Sequence, residues 1–388
     1  MDFRLSDEQQ QLRDTLVKFV AKDYSFEKRK AILKGKDGIS TDAWKQFADM
    51  GLTALGISEE NGGLGGNAFD TALVMEVFGR GLVVEPYVAT MVLGASLLAA
   101  AGSAAQKGLL AKVAEGSLLL ALAHEETGAR YELTHVTATA KKDSSGYVLN
   151  GTKTVVLHGA QADTLIVSAR TSGAENDASG ITLFLMDRKA AGLTVRDYPT
   201  HDGQRAADLK LANVKVAADA RLGAEGAGAA LLEHAIQRGC AAICAEAVGC
   251  MGALNEITLA YIKTRKQFGV PIGSFQVLQH RMADMLMMTE QARSMMYLAA
   301  SMADSSDAAA RRRAISAAKA LVGQAARYVG QQAVQLHGGI GVTDEVNVSH
   351  YFKRLTLINA TFGDADTHLA RFSDAMVATE AMPARKTA

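Results

Sequence analysis

QLHGGIGVTDEVNVSHYFKRLTLINATFGDAD, residues 335–366, sets a glycine-rich turn about one helix ahead of a lone pair of carboxylates, Asp364 and Asp366. Gly338, Gly339 and Gly341 carry no side chain to hold a ligand off, so backbone N–H groups there are free to close on an anion such as a pyrophosphate. A helix starting nearby adds the positive end of its dipole. The same glycines also suit an ordinary turn between two helices, and spacing alone leaves both readings open.

Two further stretches give the turn its context. TRKQFGVPIGSFQVLQHRMADM runs from Thr264 to Met285, and ISEENGGLGG runs on from Ile57. With QLHGGIGV, and Glu345 four residues past its last glycine, these three motifs stand in the order found in the acyl-CoA dehydrogenase family of flavoproteins, which the chain resembles over nearly its whole length.

The chain has 388 residues, 48% hydrophobic and 21% charged, enough for two or three domains around a large core. Forty-one basic and forty-one acidic residues cancel, which leaves no electrostatic footprint for nucleic acid or an anionic membrane. Cys240, Cys244 and Cys250 sit in one apolar helical stretch without a CxxC pair, and read as small buried thiols in a reducing cytoplasm. The first residues, MDFRLSDEQQQLRDTL, contain no apolar core of a signal peptide. Gly239 to Ala260 is long enough to span a bilayer, but Glu246, Asn255, Glu256 and Thr258 suit a buried bundle helix better, so no membrane span is expected.

Periodicity divides the chain in three. From Asp7 to about Lys112 apolar residues recur at helical spacing; Ser6 and Gln9 form a candidate capping box, Gly51 a C-cap, and Pro86 an interruption. From Ser117 the runs SLLLALAHEE, THVTATAKK, GYVLNGTKTVVL, DTLIVSART and GITLFLMD read as strands of a small sandwich or barrel ending near Leu222. GAEGAG, Gly223 to Gly228, reads as a hinge into a long helical half. There Met282, Met285, Met287, Met288, Met295 and Met296 stripe one helix as adaptable core, Arg311 to Arg313 form a solvated helix start, and the terminal PARKTA is expected to fray. The expected fold is mainly α with a central β domain: an N-terminal helical domain (1–115), a middle β domain (116–224) and a C-terminal four-helix bundle (225–388).

The resemblance implies the chemistry. A family member removes a proton from Cα of an acyl-CoA thioester with a carboxylate and passes a hydride from Cβ to N5 of FAD. It works as an oligomer, here a homo- or hetero-oligomeric dimer of dimers, with electron-transferring flavoprotein as acceptor. Arg265 and Phe268 match the RxxFG positions that contact FAD, and Gln276 another flavin contact. Gln335, Gly338 and Gly339 match the segment that reaches the adenine and pyrophosphate of a flavin seated mainly on a neighbouring subunit. Glu126 and Gly128 line up with the middle-domain motif, but Arg130 and Tyr131 replace its Gly and Ser, while Val155 and Leu157 replace an aromatic residue and a threonine that touch the flavin ring.

The base position departs furthest. Counting from Gln335, Phe362 falls where the family has its glutamate, and Gly239 and Gln237 fall nearest the earlier-helix alternative. Asp364 and Glu246 are the candidate catalytic carboxylates that remain; a cap on the following helix and an ion pair in the core are their structural alternatives. A second reading follows: this chain is the catalytically weak subunit of a heteromeric enzyme and completes a partner's FAD site. The FGDAD ending resembles small subunits of dehydrogenases acting on dicarboxylyl- or steroid-side-chain-CoA esters.

Overall fold

The computed structural model describes residues 4–380, so the terminal PARKTA lies outside the described residues. Helices α1 (Asp7–Asp23), α2 (Phe26–Lys34), α3 (Thr41–Asp49) and α4 (Ala68–Gly81) come first. A π-helical stretch, Val88–Ala95, then follows Pro86 and leads into the short α5 (Ser96–Ala101), α6 (Ala104–Lys107) and α7 (Leu109–Ala114). The Ser6 capping box is complete: Gln9 N–H donates to the Ser6 hydroxyl at 3.2 Å, and Ser6 N–H to Gln9 Oε1 at 3.0 Å. Gly51 takes φ 77° just past α3, the left-handed ending its type allows.

Eight strands form one sheet: β1 (Leu120–Ala123), β2 (Thr139–Lys142), β3 (Gly146–Leu157), β4 (Thr164–Arg170), β5 (Ile181–Asp187), β6 (Leu193–Pro199), β7 (Arg205–Ala217) and β8 (Arg221–Leu222). Their order is β6-β7-β3-β2-β4-β5-β8, with β1 parallel to β4. Nearly every residue of TLIVSAR and ITLFLMD is buried, because β4 and β5 are covered on both faces. β6 and β7 alternate instead, one face on a core of Leu149, Val167, Phe184, Leu209 and Val214, the other in water. GAEGAG is no free hinge, since this segment is stapled to the sheet. Gly226 N–H donates to Thr182 Oγ1 and Gly180 N–H to Gly226 O, both at 2.9 Å, while Glu225 accepts from Tyr147 and Lys142 at 2.9 Å.

Beyond it come α8 (Gly228–Thr264), a hairpin of β9 (Lys266–Gln267) and β10 (Val270–Pro271), α9 (Gln276–Met302), α10 (Ala308–His337), α11 (Asn347–Ala360) and α12 (Ala365–Glu380). The described residues group into two compact units: one takes residues 4–23, Ala72–Leu82 and residues 240–380, the other Tyr24–Thr71 and Val83–Gly239. In the first unit small residues let helices close up. A Cβ on Gly79 would lie 2.0 Å from Glu246 O, and one on Gly249 1.8 Å from Glu76 O, so α4 and α8 cross backbone to backbone. α8 alone among the described residues is long and apolar enough to cross a membrane, and 78% of its apolar window is buried, as the polar residues along it led us to expect. The three cysteines form no disulfide and are buried.

Two expectations need correction. Met285 and Met296 are core, but Met287, two residues on and so turned to the opposite side of α9 from Met285, is exposed. Arg311 is not a solvated residue: it is buried, and its guanidinium donates to Ser305 O at the start of α10, while Arg312 and Arg313 stay exposed.

Candidate flavin and acyl-CoA site

In the first unit α8 ends at Thr264 and the chain turns at once into the β9–β10 hairpin, Gln267 opposite Val270. The turn residues Phe268 and Gly269 both have positive φ, 53° and 83°, as a tight two-residue hairpin needs. Phe268 is thereby held in a conformation that a bulky side chain resists, with 91% of its surface in solvent. Arg265 beside it is exposed, and its backbone closes the hairpin base by accepting from Ile272 N–H at 2.8 Å. Gln276, the first residue of α9, is also exposed.

The glycine-rich turn separates into two kinds of glycine. A Cβ on Gly341 would meet Val334 O at 2.8 Å, so that glycine is a packing requirement. Around Gly338 and Gly339 nothing lies within 4 Å of the place a Cβ would take, and both face solvent with Gln335. The turn begins on a fixed base. His337 stacks on Tyr261 with centroids 4.3 Å apart, its Nδ1–H donates to Ala333 O at 2.8 Å, and the Tyr261 hydroxyl donates to His337 O at 3.3 Å. Tyr261 precedes Arg265 by one helical turn, so the stack brings the end of α8 and the glycine turn to one end of the bundle. In the sequence only the four-residue spacing from Tyr261 to Arg265 hints at this pair.

These features fit a flavin nucleotide. The exposed backbone at Gly338 and Gly339, bare of side chains, leaves room for a pyrophosphate to approach, although the Gly338 N–H itself donates to Val334 O and Gln335 O at the end of α10; exposed Arg265 supplies the charge, and Phe268 offers a ring already outside the core. When bound, FAD supplies the hydride acceptor.

The middle-domain positions behave differently. The Glu126 carboxylate faces inward and accepts from Thr137 N–H at 2.8 Å, the Thr137 hydroxyl, Ala138 N–H at 3.2 Å and Lys153 Nζ at 2.6 Å. Its side-chain acceptor sites are therefore taken by protein donors. Lys153, fully buried, is pulled down to about 8 by burial against the opposing pull of Glu126. Gly128 is exposed at φ 93°, and Arg130 and Tyr131 hold φ 45° and 72° where glycine is the easier residue. Val155 is exposed and Leu157 half-buried.

Neither carboxylate expected to act as base is free. Glu246, 2% exposed, receives Arg354 Nε at 2.6 Å and Nη2 at 2.7 Å, one bond to each oxygen. Asp364 accepts from Thr367 N–H at 2.8 Å as the cap of α12, and that bond first of all lowers its pKa, which weakens it as a base. Phe362, at the position of the family's glutamate, is buried with φ 61°. The turn around it is pinned: buried Lys319 donates to Asn359 O at 2.9 Å and to Gly363 O at 2.7 Å, and His368 Nε2 donates to Phe362 O at 3.0 Å.

Comparison with known proteins agrees with this geometry. Acyl-CoA dehydrogenase N-terminal, middle and C-terminal domains match residues 6–117, 120–215 and 226–377. A probable acyl-CoA dehydrogenase of Bacillus subtilis, YngJ, is 31% identical over 372 residues, covering 94% of this chain and 97% of that protein. Among solved structures, the FAD complex of PigA superposes with a TM-score of 0.89 at 27% identity, over 97% of this chain and 99% of that one. The ChsE4-ChsE5 complex from Mycobacterium tuberculosis gives 0.87 at 26% identity, over 99% and 100%. The helical, β and helical domains, the open glycine turn and these matches together make the chain a member of the acyl-CoA dehydrogenase family of FAD-dependent oxidoreductases.

Proposed function

We propose that this chain takes part in FAD-dependent α,β-dehydrogenation of an acyl-CoA thioester while contributing flavin-binding surface rather than the base. The observation that carries this is the contrast within one unit. Residues matched to flavin contacts, Arg265, Phe268 and Gln276, and those matched to a flavin seated mainly on a neighbouring subunit, Gln335, Gly338 and Gly339, are exposed. The base position holds buried Phe362, and both substitute carboxylates are engaged by protein donors. On this reading a companion chain's carboxylate takes the α-proton, and the assembly is a hetero-oligomer, a dimer of dimers. Exposed Val277, Leu286, Met287, Ile340 and Val342, apolar groups a lone chain leaves in water, support an assembly of chains.

The domain limits 115/116 and 224/225, a cytoplasmic setting and electron-transferring flavoprotein as acceptor belong to the same proposal, as does a dicarboxylyl or steroid-side-chain acyl group. The alternative, Asp364 or Glu246 as the chain's own base, requires the cap or the ion pair to open first. The test is turnover of an acyl-CoA by the chain alone and with its co-purifying companion, beside the Asp364→Ala and Glu246→Gln variants. Full turnover by the chain alone, lost in either variant, would restore the alternative.

A further inference from the structure

Strand β3 carries one residue too many opposite Asp208. Lys153 pairs with Leu209 and Val156 with Ala207, so Thr154 and Val155 together face Asp208 of β7. This is a β-bulge, and it holds Val155 at φ 51°, which a β-branched side chain strongly resists. Burial does not compensate, because Val155 is 46% exposed. Asp208 holds it instead. Its Oδ1 accepts from Val155 N–H at 3.3 Å and from the Tyr198 hydroxyl at 2.9 Å, while Oδ2 accepts from Arg196 Nη2 at 2.6 Å. The Arg196 guanidinium in turn lies 5.6 Å from the centre of the Tyr198 ring. Burial alone pushes the Asp208 carboxyl up, but the bonds from Tyr198 and Arg196 outweigh it and keep the group below its ordinary value. Tyr198 rises to about 12 through burial and its bond to Asp208, so it remains a donor at neutral pH.

A strained backbone gripped by a carboxylate that two side-chain donors fix in place, under a side chain left in solvent, is stored for a ligand rather than for the core. We propose that Asp208 is a positioning residue that sets Val155, and Leu157 two residues on, against the flavin ring brought to those positions. The inference rests on the FAD reading above and names a residue outside its motifs. Asp208→Asn retains an acceptor for Val155 N–H; Asp208→Ala has none.

The experiment is an FAD titration of the assembled protein, wild type against these two variants and Val155→Gly, with flavin absorption and Tm recorded together. Asp208→Ala is expected to raise the Kd for FAD on the order of tenfold and to shift the flavin band, with Asp208→Asn close to wild type. Should Asp208→Ala fail to fold, Val155→Gly carries the test: relief of strain should raise Tm and still weaken FAD. Variants that lose Tm while Kd and spectrum stay at wild-type values overturn the role of Asp208 and leave the FAD reading standing. A wild-type assembly that takes up no FAD overturns both.

Discussion

Arg354 holds both oxygens of Glu246, Nε to Oε1 at 2.6 Å and Nη2 to Oε2 at 2.7 Å, across 108 residues of sequence and with the carboxylate almost wholly out of water. A carboxylate so placed keeps α8 on α11; as a base it would have to break two charge-assisted bonds. Arg354→Leu is therefore expected to destabilise the fold by about 3–5 kcal/mol, since it leaves a buried charge alone. The double variant Glu246→Leu with Arg354→Leu should recover a large part of that loss in urea unfolding. A single variant as stable as the wild type would show that the pair does not hold the crossing.

The glycine turn offers a sharper contrast. Gly341→Ala places a methyl 2.8 Å from Val334 O and should cost about 1–3 kcal/mol of stability. Gly339→Ala meets nothing within 4 Å, so Tm should stay put while FAD retention falls. If both variants bind FAD as the wild type does, the turn is only a turn.

Asp364 should matter to acid stability. Its pKa lies below the ordinary 3.8 because of the Thr367 bond, so the stabilisation it gives is complete above that value and disappears as pH falls through the lower folded-state pKa. Asp364→Ala is expected to cost about 1 kcal/mol near neutrality and nothing at the acid end. Unfolding curves at several pH values check the window. A variant difference that persists at the most acid pH would contradict the cap.

His368 titrates in the opposite direction to a paired histidine. Burial first, then Lys319, lowers its pKa from 6.5 to about 4, so the folded protein resists a proton that the unfolded chain accepts. Its contribution is intact above 6.5 and is lost progressively between 6.5 and 4. His368→Gln should flatten the stability profile across that window; an unchanged slope would place the proton uptake elsewhere.

Much of the fold is legible in the sequence because it depends on local period. The strand runs GYVLNGTKTVVL and DTLIVSART become β3 and β4, and Ser6 with Gln9 caps α1 as written. β6 and β7 stand outside the runs the sequence marks, since charged residues such as Arg196 and Lys210 interrupt their exposed faces. The site is legible where motifs are contiguous, as at Arg265–Phe268 and Gln335–Gly339. It is not legible where partners are distant. Nothing local to Glu246 announces Arg354, and nothing local to Glu126 announces that Thr137 and Lys153 will take up its oxygens. The bulge at Val155 depends on register with β7, which one strand's sequence does not contain.

Anaerobic addition of an acyl-CoA to the FAD-loaded chain, alone and then with its companion chain, followed by bleaching of the flavin absorbance, tests the central claim most directly. Bleaching only when the companion is present is the result this account predicts, because the chain has no free carboxylate at the Phe362 position. Bleaching by the chain alone, as fast as with any companion, would contradict it and return the base to this chain.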